Sequence, residues 1–478
     1  MSLRDDIPKL LAHINDNRPL LTHNQKLFDI YEGNLLPYIE DALRSQLSEQ
    51  SFEQARHRIS PLNVLIRLID KLSAIYQQKP VREAMSGIGE RAVPKDSELL
   101  KWYELTLRIN SRFNVSNEFF NLFKNDLIQP YVHGGAPKMR IIPSDRFLVY
   151  SNDPIDPTIP THIILFMGSR VEEIGKEEFR TVEIYHIYTD EEFLIVNSDG
   201  EVEKKSMVAL GNEDGINVFG VLPFVYINRS NNLLIPKADT DTLSMTVLLP
   251  LIMSDINYAV MFQAFSIIYT LNGKLPDNFK MAPNSVWPIE GRSDEEKPEL
   301  GQIKPQVDID QVLNLIQAEL AFWLNTRGIK PGAITGAMTA QNFSSAISKM
   351  VDEMDTTEAR NKQVEIYTDV EADFWELLLN QMHPVWVKGS LVENRTIWTP
   401  TSKVITNFAE QIPMVRRGDM IKDLKEEVAA GFTTRKNAVQ RLNPKKNEDE
   451  IDELLGEIDE ERGFVEEPKE IEEGSANE

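Results

Sequence analysis

The stretch that decides the fold is Thr240 to Asn272, TDTLSMTVLLPLIMSDINYAVMFQAFSIIYTLN, the most apolar part of the chain. Residues 256–273 carry no charge at all, a length close to that of a membrane span. Three features read against a span. Pro250 and Asp255 interrupt its first half, Asn257 and Gln263 its second, and no Lys/Arg cluster flanks it asymmetrically. A long helix buried by its own chain or by neighbouring copies fits better.

The next hundred residues have a definite grammar. Residues 274–307 hold Pro276, Pro283, Pro288, Gly291, Pro298, Gly301 and Pro305, which predicts a compact, irregular excursion with short strands. DIDQVLNLIQAELAFWLNT, from Asp308 to Thr326, predicts a second helix with Asp308 or Asp310 at its positive dipole end. Arg327 to Ala340, RGIKPGAITGAMTA, breaks the pattern with Gly328, Pro331, Gly332 and Gly336. A third helix is predicted from Gln341 to about Met382. Phe343, Ile347, Met350, Val351 and Met354 form one stripe; Val364, Tyr367, Val370, Phe374, Leu377 and Leu378 form another. Between them Asp355 to Gln363 has only Ala359 as an apolar residue. That predicts a turn crossing a hydrated space, or a bend.

Upstream, residues 1–133 read as helical. NVLIRLIDKLSAIY, Asn63 to Tyr76, has its apolar residues on one face and ends before Pro80. Other helices are expected over 37–48 and 98–109. Residues 134–238 change to short β-branched or aromatic runs, MRIIPSDRFLVYS, HIILFMG, TVEIYHIYTD, EFLIVNSDGEVE and VLPFVYIN, parted by turn residues. Asp199-Gly200 signals a tight hairpin. Downstream, residues 396–412 read as strand and loop. Helices are expected over 419–430 and 433–442, the latter capped by Thr433 or Thr434. Ile451, Leu454, Leu455 and Ile458 stripe an acidic helix, and residues 464–478 read as a disordered acidic tail.

The chain has 478 residues and a net charge of -24. Residues 447–478 hold 15 acids and 2 bases, so -13 of that charge sits there. A surface this acidic does not grip nucleic acid globally. Cysteine is absent, which removes disulfides, thiolate nucleophiles and CxxC sites. The start, MSLRDDIPKLLAH, has no apolar run of signal-peptide type. No GxxxxGK[ST], GxGxxG or GxSxG occurs, and the seven histidines show no HxH or HExxH spacing. Asp239-Thr-Asp241 could be read as a metal-binding DxD, but reads better as a helix cap before the apolar run. No residue pattern specifies an enzyme, a metal or a cofactor.

The order of helix, turn-rich knot, helix, Gly/Pro loop and long helix resembles the core of tailed-bacteriophage portal proteins. Local strings are similar too. Leu27-Phe28-Asp29-Ile30-Tyr31-Glu32-Gly33 resembles an early LYxG-like segment. Ile75-Tyr76-Gln77-Gln78-Lys79-Pro80 resembles a YxxGxP helix end, with Gln78 where glycine is usual. Gly220-Val221-Leu222-Pro223-Phe224-Val225 resembles the G-x-x-P strand before the stem, Lys349 to Lys362 the long helix, and Gly431-Phe432-Thr433-Thr434 the entry to the crown. The resemblance implies an α+β, mainly helical portal architecture. Its parts would be a helical wing part over 1–133, a β-rich wing module over 134–238 and a first stem helix over 239–273. A clip (274–307), a second stem helix (308–327), a tunnel loop (328–340), a long kinked helix with wing return (341–412), a crown (413–463) and the tail complete it.

It further implies a dodecameric head-tail connector ring in the virion, assembled in the host cytoplasm, through which double-stranded DNA is packaged and ejected. Implied partners are the large terminase subunit, head-tail adaptor proteins, and the major capsid and scaffold proteins, with no membrane. Lys330, Arg327, Asp308, Asp310 and Glu319 are then channel candidates. Phe262, Phe265 and Trp323 are subunit-interface candidates. A membrane-associated protein, or another ring-forming scaffold that never touches DNA, stays open.

Overall fold

Ser2 caps the first helix by accepting from the Arg4 N–H, and Asp5 and Asp6 occupy its first turn, where carboxylates complement the helix dipole. The computed structural model describes residues 2–87, 93–175, 178–264, 267–271, 273–274, 290–291, 299–303, 309–329, 346–408, 417–443, 446 and 448–463. Within them the chain is mixed α+β and mainly helical.

The N-terminal helices are α1 (Leu3–Asp16), α2 (Arg18–Tyr31), α3 (Leu36–Gln46), α4 (Glu49–Ala55), α5 (Leu65–Leu72), α6 (Pro94–Leu107) and α7 (Ile109–Phe123). α5 is shorter than its apolar pattern predicts. Ser73 leaves the helical backbone, and its hydroxyl donates to the Asn117 carbonyl at 3.3 Å. Ile75–Gln77 then forms a single 3-10 turn. Two strands interrupt the region expected to be helical throughout. β1 (Val81–Ser86) follows Pro80 and pairs antiparallel with β13 (Ser402–Asn407), far away in sequence. β2 (Asn125–His133) begins once Lys124 takes a left-handed backbone, φ 70°, which ends α7. The β-rich module therefore starts at Asn125, not at residue 134.

That module contains the strands the sequence predicts. β3 (Ala136–Ile142), β2 and β8 (Val225–Asn228) form one sheet in the order β3-β2-β8. β4 (Phe147–Tyr150), β5 (His162–Gly175), β6 (Glu178–Tyr188) and β7 (Phe193–Asn197) form a second, in chain order. The Asp199-Gly200 turn is present, with Gly200 at φ 87° and the Asn197 N–H donating to Glu201 O at 3.0 Å. Beyond it the returning chain makes only a bridge from Val202 to Val196 before α8 (Lys204–Ala209) begins. α1 buries Leu3, Leu10 and Ile14 against this sheet.

The apolar stretch is helical from Thr240 to Ala264 (α9), not to residue 273. Ile267–Leu271 is a strand, β9, antiparallel to β12 (Glu299–Ile303). The β-branched and aromatic run Ile267, Ile268, Tyr269, Thr270 is the local reason. The short pair β10 (Gly273–Lys274) and β11 (Glu290–Gly291) lies between them. α10 (Ile309–Asn325) returns to the body. Leu249 of α9 joins Ile316, Leu320, Trp323 and Leu324 of α10 in a core shared with α2, α3, α5 and α7.

α11 (Ala346–Glu376) runs directly into a π-helical turn over Leu377–Met382 and then α12 (His383–Lys388). Its middle, poor in apolar residues, keeps Glu358 and Lys362 exposed but still has one seat on the body. Gln363 is buried there and accepts from Asn117 Nδ2 (2.9 Å) and Asn121 Nδ2 (3.2 Å), while its own Nε2 donates to Asn121 Oδ1 at 3.1 Å. A layer of paired amides, not an apolar stripe, seats this turn on α7. Two turns further on, Glu371 is the hub of a buried network. Arg82 Nη2 donates to it at 2.7 Å, the Tyr76 hydroxyl at 2.8 Å and the Thr406 hydroxyl at 2.9 Å.

His383 locks the π turn. Its Nε2 donates to Thr396 O at 2.7 Å, so Nδ1 accepts from the Tyr103 hydroxyl at 2.7 Å. Burial pushes its pKa down, with the Thr396 bond opposing. The neutral ring therefore stabilises the fold in full above the unfolded histidine value of about 6.5, and that contribution is lost as pH falls below it. Melting at pH 7 and pH 5 should show a drop for the parent chain, at a slope of up to about 1.4 kcal/mol per pH unit per histidine. His383→Gln should show a smaller drop; an unchanged drop would remove this residue from the acid sensitivity.

The C-terminal helices are α13 (Arg417–Ala429), α14 (Arg435–Leu442) and α15 (Glu448–Gly463). Of the two caps expected for α14, Thr434 is the one, accepting from the Asn437 N–H at 3.2 Å. Ile451 of α15 is fully buried, and Lys436 pairs with Asp452 on its acidic side. The tail, 464–478, lies outside the described residues.

Candidate functional site

Arg327, two residues past the end of α10, does what its sequence context hides. Arg327 donates to both carboxylate oxygens of Asp239, at 3.2 and 3.3 Å, and to Asp241 Oδ2 at 2.7 Å. Its guanidinium lies 5.2 Å from the Trp323 ring centre, a cation–π distance. Lys124 stands 3.6 Å from the same Asp239 carboxylate. Burial works to raise the Asp239 pKa, but the Arg327 hydrogen bonds and the charges of Arg327 and Lys124 hold it below the usual carboxylate range. The helix does begin at Thr240, with Asp239 just before it. The two carboxylates of the DxD, however, clamp the far end of α10 to the near end of α9. Arg327 is thus bound within its own chain: two acids in hydrogen-bond range take donors from both its Nη1 and its Nη2.

Gly328 then turns at φ 70°, and Ile329 is buried. An open cleft of about 850 Å³ lies beside this clamp, lined among others by Lys124, Arg229, Asp239, Arg327, Glu358 and Lys362. It sits where α9 leaves the body, α10 returns and α11 runs past.

The sequence candidates are not brought to one place. Asp308, Lys330 and Phe265 lie outside the described residues, and Phe262 falls in α9 with its side chain outside them. Asp310 and Glu319 are both exposed on α10. Nine residues apart at 100° each, they point half a turn away from one another, so one face of α10 cannot present both. Trp323, an interface candidate by sequence, is only 7% exposed and packs in its own chain's core. Its sequence neighbour Phe322 is 74% exposed. Leu315, seven residues earlier and therefore on the same stripe, is also exposed. The periodicity of α10 locates an apolar pair at 322 and 323 without telling which member faces inward. Lys124 and Arg229 escape a reading of the sequence because neither lies within α9 or α10.

No family model matches the chain, and no curated protein matches it. Among solved structures, it is similar to a chain of the neck of an empty GTA particle computed with C6 symmetry. That likeness has a TM-score of 0.39 and 12% identity, over 80% of this chain and 90% of that one. At that distance it carries no argument about function. Among the described residues no helix is long and apolar enough to cross a membrane, and no group of three or more His, Cys, Asp or Glu side chains could hold a metal ion.

Proposed function

We propose that the chain is a structural, non-enzymatic subunit of a portal-type ring at a phage capsid vertex. The observation that carries this reading is the stem. α9 leaves the body, β9 and β12 close its far end, and α10 returns to the clamp at Arg327. α10 buries one face in its own chain and leaves Leu315 and Phe322 bare on another. A helix with a second, uncovered apolar stripe calls for a neighbour, and identical neighbours around a closed ring supply one each. The long helix α11 follows the stem in the order that the family resemblance implies. In this reading double-stranded DNA passes through the ring. The large terminase and head-tail adaptors dock on its ends, and capsid and scaffold proteins hold its rim. The acidic surface suits a conduit, because a lining that bound phosphates strongly would hold the DNA in place.

Negative-stain images of the purified chain test the ring directly: closed particles with a central hole are expected, and monomers alone would overturn the reading. Lys330, in the Gly/Pro segment after α10, is the base proposed to meet DNA phosphates. Each contact contributes about 1 kcal/mol or less, but the ring repeats it. Lys330→Glu should spare the ring and lower packaged DNA per particle at matched ring content. Equal packaging would remove Lys330 from the mechanism.

A further inference from the structure

β5 and β6 run past their sheet. β4 pairs only with residues 162–165, and β7 only with 184–188. Beyond them Ser169 to Gly175 and Glu178 to Glu183 form a ribbon of two strands with no third. Such a ribbon is marginal on its own. Register assigns its two faces. Arg170, Glu172, Arg180 and Val182 share one; Val171, Glu173, Phe179 and Thr181 share the other.

The polar face is tied to the chain's own body. Arg170 makes a bidentate pair with Glu203 at 2.8 and 2.9 Å, and Arg180 pairs with Asp199 at 2.7 Å. The other face holds Val171 and Phe179 in the open, each 67% exposed. They sit diagonally across the strand pair, close enough to form one patch. This arm is thus salt-bridged to the module on one face and carries bare hydrocarbon beside Glu173 on the other, an exposed apolar patch that calls for cover.

A second bare patch lies on the same module, at the end of α8 and in the loop after it. Val208, Leu210, Ile216 and Val218 are all more than half exposed, yet the backbone carrying them is pinned. Asn212 exchanges two hydrogen bonds with the main chain of Ile216, at 3.0 and 3.1 Å. Asn217 Nδ2 donates to Thr189 O and Val221 O, both at 2.7 Å. Rigid and apolar, this loop is a platform. Lys204 and Lys205 are exposed just before it in the chain, and Glu213 and Asp214 within it.

We infer that the arm of one copy docks on the platform of the next, Val171 and Phe179 against Val208, Leu210 and Ile216, with Glu173 toward Lys204 and Lys205. The occupant is a second copy because a ring needs two different, complementary patches on every subunit, and this module carries two, with an acid beside one and two lysines beside the other. The inference rests on the ring reading above, but concerns a surface far in sequence from the stem.

The chain has no cysteine, so introduced thiols report alone. In the full chain carrying Val171→Cys with Ile216→Cys, mild oxidation should give a ladder of covalent oligomers beyond the dimer on non-reducing gels, collapsed by reductant. Adding Phe179→Asp should cut the ladder at least tenfold. Rings in the electron microscope with no ladder would overturn the docking while leaving the ring intact. A disulfide confined to the monomer band would place the arm on its own platform and also overturn it. Monomers alone, with no cross-link, would sink the ring reading and this inference together.

Discussion

Arg82→Ala is expected to lower the stability of the folded chain by about 3–5 kcal/mol, the range for removing one partner of a buried ion pair. The side chains of Arg82 and Glu371 are both 0% exposed. Burial alone works against the charge on Arg82, but the adjacent Glu371 carboxylate more than offsets it and keeps the guanidinium protonated. Arg82 also donates to Asn110 Oδ1 at 2.8 Å and to Glu104 at 3.1 Å. One side chain therefore ties β1 to α6, α7 and α11, and Glu371 carries the tie to β13 through Thr406. Alanine leaves the Glu371 carboxyl group buried without its counter-ion, with only neutral donors around it. The double replacement Arg82→Leu with Glu371→Leu should cost much less than either charge removed alone, because nothing charged is then stranded. Urea melts of the three variants check this. A single variant as stable as the parent would show that the network contributes no net stability.

Phe322→Asp and Trp323→Ala should separate assembly from folding at adjacent positions. Phe322 is bare in the single chain, so its replacement leaves the monomer's melting curve within about 0.5 kcal/mol of the parent. In a ring it would place an unpaired carboxylate in every subunit contact, at a cost of several kcal/mol each, and rings should vanish by mass photometry. Trp323→Ala empties a site in the core shared by α9, α10 and the N-terminal helices, and should cost about 3–5 kcal/mol of fold stability. Intact rings carrying Phe322→Asp would take the stem stripe out of the interface. Loss of folding in that variant would mean the side chain is covered within the chain after all.

Much of this architecture can be read from local pattern. The β-module strands each carry their own alternation and turn residues, and α10 its own stripe, so they lie close to where the sequence puts them. What could not be read depends on partners far away. β1 is a strand because Ser402–Asn407 lies beside it, and nothing between residues 81 and 86 says so. The middle of α11 looks solvent-bound, because Gln363 finds Asn117 and Asn121 only in three dimensions. Arg327 looks like a free base because the acids that hold it are 88 and 86 positions upstream. The β9 strand inside an apolar run is hidden for a different reason: a helix and a buried strand share the same composition, and only the pairing with β12 decides.

The excursion between Asp239 and Arg327 is closed twice, once by the clamp at its base and again by the β9–β12 ladder beyond the helices. A segment pinched shut at both levels is an interchangeable head on a fixed handle. Its outer residues can lengthen, shorten or be swapped for another sequence, and the body beneath registers only the entropy of closing a loop, about 0.6 kcal/mol for each doubling of length. Descendants of one such chain could therefore fit different companions at that end while keeping the same body, and a designer could graft there a tag or a foreign docking sequence without refolding the rest.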